Sequence, residues 1–599
     1  MSVPIRRFVV LAALALFMWA AVLYATGGVR FTILDFRMTS RDPVRPFALA
    51  FVLLAVGSVV FGRRRVDDEC EHVAARCGVA VTPIAIAASL AVTIAGLHWG
   101  TFAASGVDAY GYVSQAALWE HGAVRVEQPF VAKVPWPDAD WAFAPMGYRP
   151  AVSGHAMVPS YPPGLPLLMA FAERIAGDCG PYYVVPVLGG LCVWFCYLLG
   201  RRAASPIVGA CAAALLACSP PFLFQLMAPM SDVPAAAFWT AALYFALREE
   251  DAAAAAAGVC AASAVVIRPN LAPLAAVILA SLAWSHRDEA TGRAWKRAAW
   301  FAAPVLPALI AIATINWRLY GSPTSSGYGD LSTAYEVGHI AANARRYTIW
   351  LIETHTWLIG LSAIGLLAPV MTRSKILESR ASLLFLGFAL VTAASYLTYA
   401  VFEEWLYLRF FLPVLPVLLV AMAASMLRAL GYLTPTVRAL AFVALATFLV
   451  THELLFAIDA GLTKLGPAER RYVAVARFIE AVTPPNAVFL SLQHGGSVRH
   501  YAGRLTVRFD RVSPDLDRAL DSLEGAGWRP FILLEDWEEP QFKGQFGGSS
   551  AAGRLAWRPY ARLDAPGGVN IYDPKQLNDA ASHELAVIPP PDRCDCRHY

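Results

Sequence analysis

Charge is scarce in this chain: Asp, Glu, Lys and Arg make up 15% of its 599 residues, while 57% are hydrophobic. A soluble globular domain carries roughly 25% charged residues, so composition alone argues for a polytopic membrane protein. No basic stripe interleaved with aromatics is present and the net charge is only +4, which leaves no basis for a nucleic-acid partner. No repeat of solenoid period is visible. Of the ten cysteines, Cys192, Cys196, Cys211, Cys218 and Cys260 lie inside apolar runs, where a thiol is a small buried hydrophobe. Cys594 and Cys596 lie in the tail; a disulfide and chance composition are both open there, and a Cys-x-Cys pair alone does not indicate a metal. The first apolar run lacks a small-residue cleavage site and a second follows at once, so it reads as a retained anchor.

What the chain has instead is apolar length. Runs near 8–26, 46–62, 80–104, 181–200, 206–227, 232–247, 252–267, 270–284, 298–315, 348–370, 382–401, 409–427 and 437–457 each approach the roughly 20 residues that span a bilayer core. The reading is about thirteen transmembrane helices, with those between 232 and 284 short enough to be re-entrant. Short cytoplasmic loops collect Lys and Arg. Arg6 and Arg7, Arg63 to Arg65, Arg201 and Arg202, Arg293 with Lys296 and Arg297, Arg373 with Lys375 and Arg380, and Arg428 with Arg438 all share one side if the amino terminus is cytoplasmic. That topology places the loop 105–180, the loop 316–347, Glu403 to Arg409 and everything after about 458 outside.

Four parts are expected: amino-terminal spans 1–79, a transmembrane core 80–460 carrying the outer loop 105–180, an extracytoplasmic α/β unit 466–575, and a disordered tail 578–599 rich in Pro and charge. In the α/β unit, β-rich runs at 487–492, 505–509 and 530–535 alternate with helical patterns at 467–482, 514–525 and 537–546, which predicts a largely parallel sheet. Gln493-His494-Gly495-Gly496-Ser497 follows its first strand, where ligands sit in such sheets; a structural turn is the alternative.

Asp108, in Gly106-Val107-Asp108-Ala109-Tyr110-Gly111-Tyr112, puts a carboxylate where a long apolar run ends. It is either a base at the membrane surface or the cap of the helix that follows. Tyr110 and Tyr112 suit both sugar contacts and the lipid interface. Ser160-Tyr161-Pro162-Pro163-Gly164 shapes a rigid loop before the next apolar run, with Tyr161 or His155 touching substrate. Asp232, in Met230-Ser231-Asp232-Val233-Pro234, assists chemistry or caps the helix from Pro234. Arg268 and Arg409 are charged residues in or beside spans, where charge is costly and often functional. A guanidinium forks onto phosphate, which makes Arg409 a candidate phosphate ligand; snorkelling, or pairing with Glu403 or Glu404, is the alternative.

Asp108 with its tyrosines, Tyr161-Pro162-Pro163-Gly164, Met230 to Pro234, Arg268-Pro269-Asn270 and Tyr407-Leu408-Arg409-Phe410-Phe411-Leu412-Pro413 come in an order that resembles the GT-C superfamily of membrane glycosyltransferases. Within it the likeness is to the family 39, protein-mannosyltransferase and aminoarabinose-transferase-like group, over roughly 80–427. The resemblance implies a polyprenyl-phosphate-linked sugar donor, an outer-face acceptor that is a lipid, glycan or protein, and Asp108 as catalytic base. Tyr110, Tyr112, His155, Tyr161, Asp232, Arg268 and Arg409 become the expected substrate-binding set. The family commonly has an acidic pair at the first-loop site, whereas Asp108 is flanked by Val107 and Ala109, so a paired-carboxylate metal site is not supported and metal dependence stays open. The first two spans are additions to the usual core.

The expected activity is therefore hexosyl or pentosyl transfer with inversion, by an integral protein of the cytoplasmic membrane whose amino terminus is cytoplasmic and whose α/β unit is extracytoplasmic. Two rivals stand beside it. A transporter or flippase of lipid-linked sugars would show paired broken helices in two halves, a symmetry the sequence lacks. A non-catalytic display protein would leave Asp108 and Arg409 without a shared cavity, more than about 15 Å apart.

Overall fold

The computed structural model describes residues 3–33, 36–284, 292–329, 334–372, 376–513, 515–564, 567–577, 585–588 and 596. Arg373 and Lys375, Cys594 and most of 578–599 lie outside the described residues. Among the described residues, eight helices are long and apolar enough to cross a membrane: Pro4–Thr26, Val44–Phe61, Val81–Trp99, Gly164–Ala203, Arg293–Tyr320, Ser379–Leu397, Leu415–Tyr432 and Pro435–Asp459. Two bent pairs, Pro206–Cys218 with Pro220–Leu226 and Val337–His355 with Trp357–Thr372, raise the number to ten. The expected thirteen is not reached. The runs near 232–247, 252–267 and 270–284 are helical, but as helices of 15, 17 and 12 residues. At 1.5 Å per residue they extend about 18–26 Å, short of the roughly 30 Å core.

Between helices, small residues bring backbones together, the packing that works where lipid removes the hydrophobic drive. A Cβ on Gly200 would lie 2.6 Å from Gly209 Cα. Ser89 Oγ donates to Gly190 O at 2.6 Å. Val59, Val60, Leu90 and Ile94 point outward and stay exposed, as a lipid-facing surface requires.

On the side of the bundle that carries Asp108, the helix Asp108–Glu120 is followed by a three-stranded sheet of Val126–Glu127, Ala156–Pro159 and Tyr148–Pro150. The carboxy-terminal α/β region adds a six-stranded sheet. From edge to edge it runs Ala586–Val587, Ala561–Leu563, Val569–Tyr572, Arg529–Glu535, Ala487–Leu490, Leu505–Val507. The sheet is mixed rather than largely parallel. Ala487–Leu490 pairs parallel with both its neighbours, but Ala561–Leu563 and Val569–Tyr572 form a short hairpin that enters antiparallel. A tight connection allows only antiparallel pairing.

The two regions share one apolar core, in which Val131, Trp136 and Phe143 of the loop join Val488 and Leu534 of the sheet and Phe509 just past its edge strand. A disulfide between Cys179 and Cys596 fastens the corner before the Gly180–Ala203 helix. Cys596 is thus a bonded cysteine.

Candidate active site

The helix Val81–Trp99 stops at Gly100, and the chain turns through positive φ at Phe102 and Gly106 before Asp108 opens the next helix. A carboxylate in the first helical turn is favoured by the helix dipole. Its oxygens are not spent on capping, for the Tyr161 hydroxyl donates to Oδ1 at 2.5 Å and Arg409 Nη1 donates to Oδ2 at 3.2 Å. Burial, then the Asp108 charge, pushes the Tyr161 hydroxyl well above the usual tyrosine range, so it stays a donor. Tyr161 comes this close because position 111 is glycine: a Cβ there would sit 2.1 Å from Tyr161 Cε2.

A second ion pair lies beside the first. Arg268 Nη2 meets the fully buried Asp232 Oδ1 at 2.8 Å. Arg268 Nε and the Tyr112 hydroxyl both donate to Ser231 Oγ, at 3.0 and 2.8 Å. The Phe410 ring lies between the guanidiniums, 5.9 Å from Arg268 and 5.3 Å from Arg409, an attraction added by the ring face. Burial disfavours the Arg409 charge, but Asp232 and Asp108 outweigh it and its pKa is raised. Arg409 Nε is buried with no hydrogen-bond partner among the described residues.

Asp108, Tyr112, Tyr161, Asp232, Arg268 and Arg409 line one cavity of about 450 Å³. Asp108 also borders a second, of about 270 Å³, with Ser105, Met230 and Glu469. Two expected substrate contacts lie elsewhere. Tyr110 is buried and its ring lies against Gly496 of the α/β region. His155 is exposed and bonded to Asp140 at 3.0 Å; sequence placed it in the loop but could not say which way the loop faces. Arg409 pairs with Asp108, not with Glu403 or Glu404, and Glu403 pairs with Arg346.

Sequence reasoning missed most of the aromatic wall: Tyr320, Tyr328, Tyr335, Tyr396, Tyr399 and Phe402 line the larger cavity. The one local signal was Tyr396 and Tyr399 at the end of an apolar run, shortly before Tyr407 and Arg409. Asn270 Nδ2 donates to Tyr396 Oη at 3.2 Å, which explains the third residue of Arg268-Pro269-Asn270. Among the described residues no three His, Cys, Asp or Glu side chains converge as a metal ligand set.

The arrangement offers two carboxylates, two cations and aromatic faces around one space, and a second space beyond Asp108. Residues 160–317 match a family described as dolichyl-phosphate-mannose-protein mannosyltransferase. No curated protein matches the chain. Among solved structures, the apo oligosaccharyltransferase of Archaeoglobus fulgidus aligns with a TM-score of 0.53 at 13% identity, over 83% of this chain and 74% of that one. AglB of the same organism, in complex with an inhibitory peptide and a dolichol-phosphate, aligns with 0.50 at 14% identity over the same shares, 83% and 74%. Apo ArnT of Cupriavidus metallidurans gives 0.50 at 13% identity, over 83% and 98%. At such identities the likeness is one of fold. The family match covers Tyr161, Asp232 and Arg268 but neither Asp108 nor Arg409, and the chain as a whole shares the fold of these oligosaccharyltransferase and ArnT structures.

Proposed function

We propose that the protein transfers a sugar from a polyprenyl-phosphate donor to an acceptor on the outer face of the cytoplasmic membrane, with the α/β region on that face. The observation that carries the reading is the meeting of Asp108 and Arg409, at 3.2 Å, on the wall of an aromatic-lined cavity. A display protein had no need of that meeting. The donor occupies the larger cavity, with its sugar against the tyrosines and its phosphate against Arg409 and Arg268. The AglB structure holding a dolichol-phosphate supports a lipid-phosphate ligand for this fold.

The acceptor hydroxyl approaches from the smaller cavity. Asp108 takes its proton while the hydroxyl oxygen forms a bond to the anomeric carbon. The bond from that carbon to the phosphate oxygen breaks, and the polyprenyl phosphate leaves with the electron pair, its charge held by Arg409. Attack and departure on opposite faces invert the anomeric centre. Arg409 must leave Asp108 for the phosphate, which frees the carboxylate for the proton. Tyr110 and His155, outside both cavities, have no substrate role in this scheme.

The test is transfer of radiolabelled sugar from a panel of polyprenyl-phosphate sugars by purified protein in lipid, with Asp108→Asn alongside. Label should move with the wild type and not with the mutant. Full transfer by a correctly folded Asp108→Asn would falsify the assignment of the base. No turnover and no donor binding across the panel would favour the transporter and display readings instead.

A further inference from the structure

The segment before Asp108 is held from two sides. From Gly100 to Val107 it passes through positive φ at Phe102 and Gly106; on the bundle side Gly100 N donates to Gly96 O at 3.0 Å and Thr101 N to Met227 O at 2.8 Å, and the Phe102 ring packs on Tyr182 and Tyr183 at 5.6 and 5.9 Å. The other support comes from the α/β region, more than 360 residues later in the sequence.

Ala104 N–H donates to Tyr501 Oη at 2.7 Å, and Tyr501 Oη lies 3.1 Å from Tyr182 Oη on the Gly180–Ala203 helix. Tyr501 is fully buried. At Gly106, the space where a Cβ would stand is 3.7 Å from Gln493 Oε1 and 3.8 Å from Tyr472 Oη. At Tyr110, two residues past Asp108, the ring lies so close to Gly496 that a Cβ on that glycine would fall 2.2 Å from Tyr110 Cδ1. Three points on the chain, 104, 106 and 110, therefore meet the α/β region: Ala104 bonds to Tyr501, Gln493 and Tyr472 come close at Gly106, and Gly496 packs against Tyr110.

The grip is itself braced. Glu538 accepts from the backbone N–H of Gln493 at 3.1 Å and of Glu535 at 2.8 Å, fixing the turn that presents Gln493. Arg499 donates to Phe143 O at 2.6 Å and to Gln128 Oε1 at 3.3 Å, joining the Gly495–Ala502 helix to the outer loop. The Gln493-His494-Gly495-Gly496-Ser497 motif then carries a packing contact. Its second glycine is the surface that the helix of Asp108 lies against.

We infer that the α/β region is a clamp that sets the position of Asp108, with Gly496 and Tyr501 as positioning residues for the proposed base. This rests on the glycosyltransferase reading above. A shift of about 1 Å at a reacting group can lower a rate about 100-fold without touching the substrate, so displacement of the clamp should be felt in turnover rather than in donor binding.

The test uses the full-length protein in nanodiscs with the donor sugar that supports wild-type transfer, and undecaprenyl phosphate as a binding probe. Gly496→Ala and Tyr501→Phe should each lower kcat about 10- to 100-fold, with KM for the donor and Kd for undecaprenyl phosphate within about twofold of wild type, as expected when only transition-state interactions are lost. Tyr110→Val placed on Gly496→Ala should restore kcat, because it removes the ring that the new methyl strikes. Tyr501→Phe should also speed hydrogen exchange at the Ala104 amide. Wild-type kcat in both single variants, alongside an inactive Asp108→Asn, would overturn the clamp while leaving the functional reading intact. Equal loss of turnover and of undecaprenyl phosphate binding, with no restoration by Tyr110→Val, would also overturn it. An active Asp108→Asn would instead remove the functional reading on which the clamp depends.

Discussion

Arg409 Nη1 donates to Asp108 Oδ2 at 3.2 Å across a sequence separation of 301. The pair joins the group proposed to accept a proton to the group proposed to receive a phosphate, so each occupies the other in this structure.

Arg409→Gln should keep the protein folded, since Gln fills part of the same space, but lower kcat by about 10²–10³, the cost of removing one preorganised donor to a developing anion. Arg409→Lys should recover only part of that loss, because an ammonium cannot fork onto phosphate oxygens. Single-turnover kinetics with labelled donor would read both. Equal rates for the Gln, Lys and wild-type proteins would exclude a role for the guanidinium.

The Arg268 and Asp232 pair predicts a stability effect. Asp232 is fully buried and its partner nearly so, so Asp232→Ala strands a guanidinium in a dry setting. A loss of about 3–5 kcal/mol is expected, measured as a drop in thermal unfolding midpoint in detergent. Asp232→Ala combined with Arg268→Met should recover much of it. A single variant as stable as wild type would mean that water reaches this pair.

Two buried carboxylates in the α/β region give opposite pH dependences. Burial raises Glu538 to about 7, despite the backbone N–H groups it accepts. Burial also works to raise Glu535, but His494, Arg471 and Trp537 outweigh it and hold it down to about 2. A carboxyl with a raised folded pKa stabilises fully below its unfolded value near 4.3 and loses that contribution as pH rises through 7. A lowered one stabilises above that value and loses its contribution as pH falls toward 2. Stability should therefore decline between pH 5 and 8 by an amount on the order of 2 kcal/mol. Glu538→Gln should flatten that slope, whatever it does to the absolute midpoint. Unfolding followed by tryptophan fluorescence over that pH range would show it, and an unchanged slope in the variant would assign the titration elsewhere.

The disulfide predicts a redox effect. Cys179 and Cys596 are bonded, and Tyr182, three positions after Cys179, is the residue that meets Tyr501. Cys596→Ser, or reduction, should lower the stability of the α/β region by about 2–5 kcal/mol. Peptide mapping without reductant should recover a fragment joining the two cysteines. Two free thiols at these positions in purified, unreduced protein would contradict the bond. Disulfides persist where the surroundings are oxidising, which fits the outer face proposed for this region.

How much was readable in the sequence depended on how local each signal was. Asp108, Tyr161, Asp232, Arg268 and Arg409 could be singled out because each breaks an apolar pattern at its own position, and all five line one cavity. That Arg409 would choose Asp108 over the nearby Glu403 could not be read, since no local rule connects residues 301 apart. Tyr110 and Tyr112 look alike in sequence, yet helix geometry turns two residues apart to different faces, one toward the cavity and one toward Gly496. The thirteen apolar runs were visible as runs, but whether 12 to 17 residues cross a bilayer or stop inside the bundle depends on neighbours. The mixed sheet was missed because Ala561–Leu563 and Val569–Tyr572 are three and four residues long, too short for alternation to declare a hairpin.

Gly111 and Tyr161 carry an evolutionary consequence. With Tyr161 where it is, no side chain fits at 111, since even a methyl would fall 2.1 Å from the ring. The two positions are therefore free to drift only together. Among descendants of this sequence, a lineage that acquires alanine or serine at 111 should already have surrendered the ring at 161, and with it the hydroxyl bond to Asp108. Alanine beside an unmoved tyrosine is the strained intermediate, so lineages should pass more often through glycine with a small residue at 161 than through alanine with tyrosine.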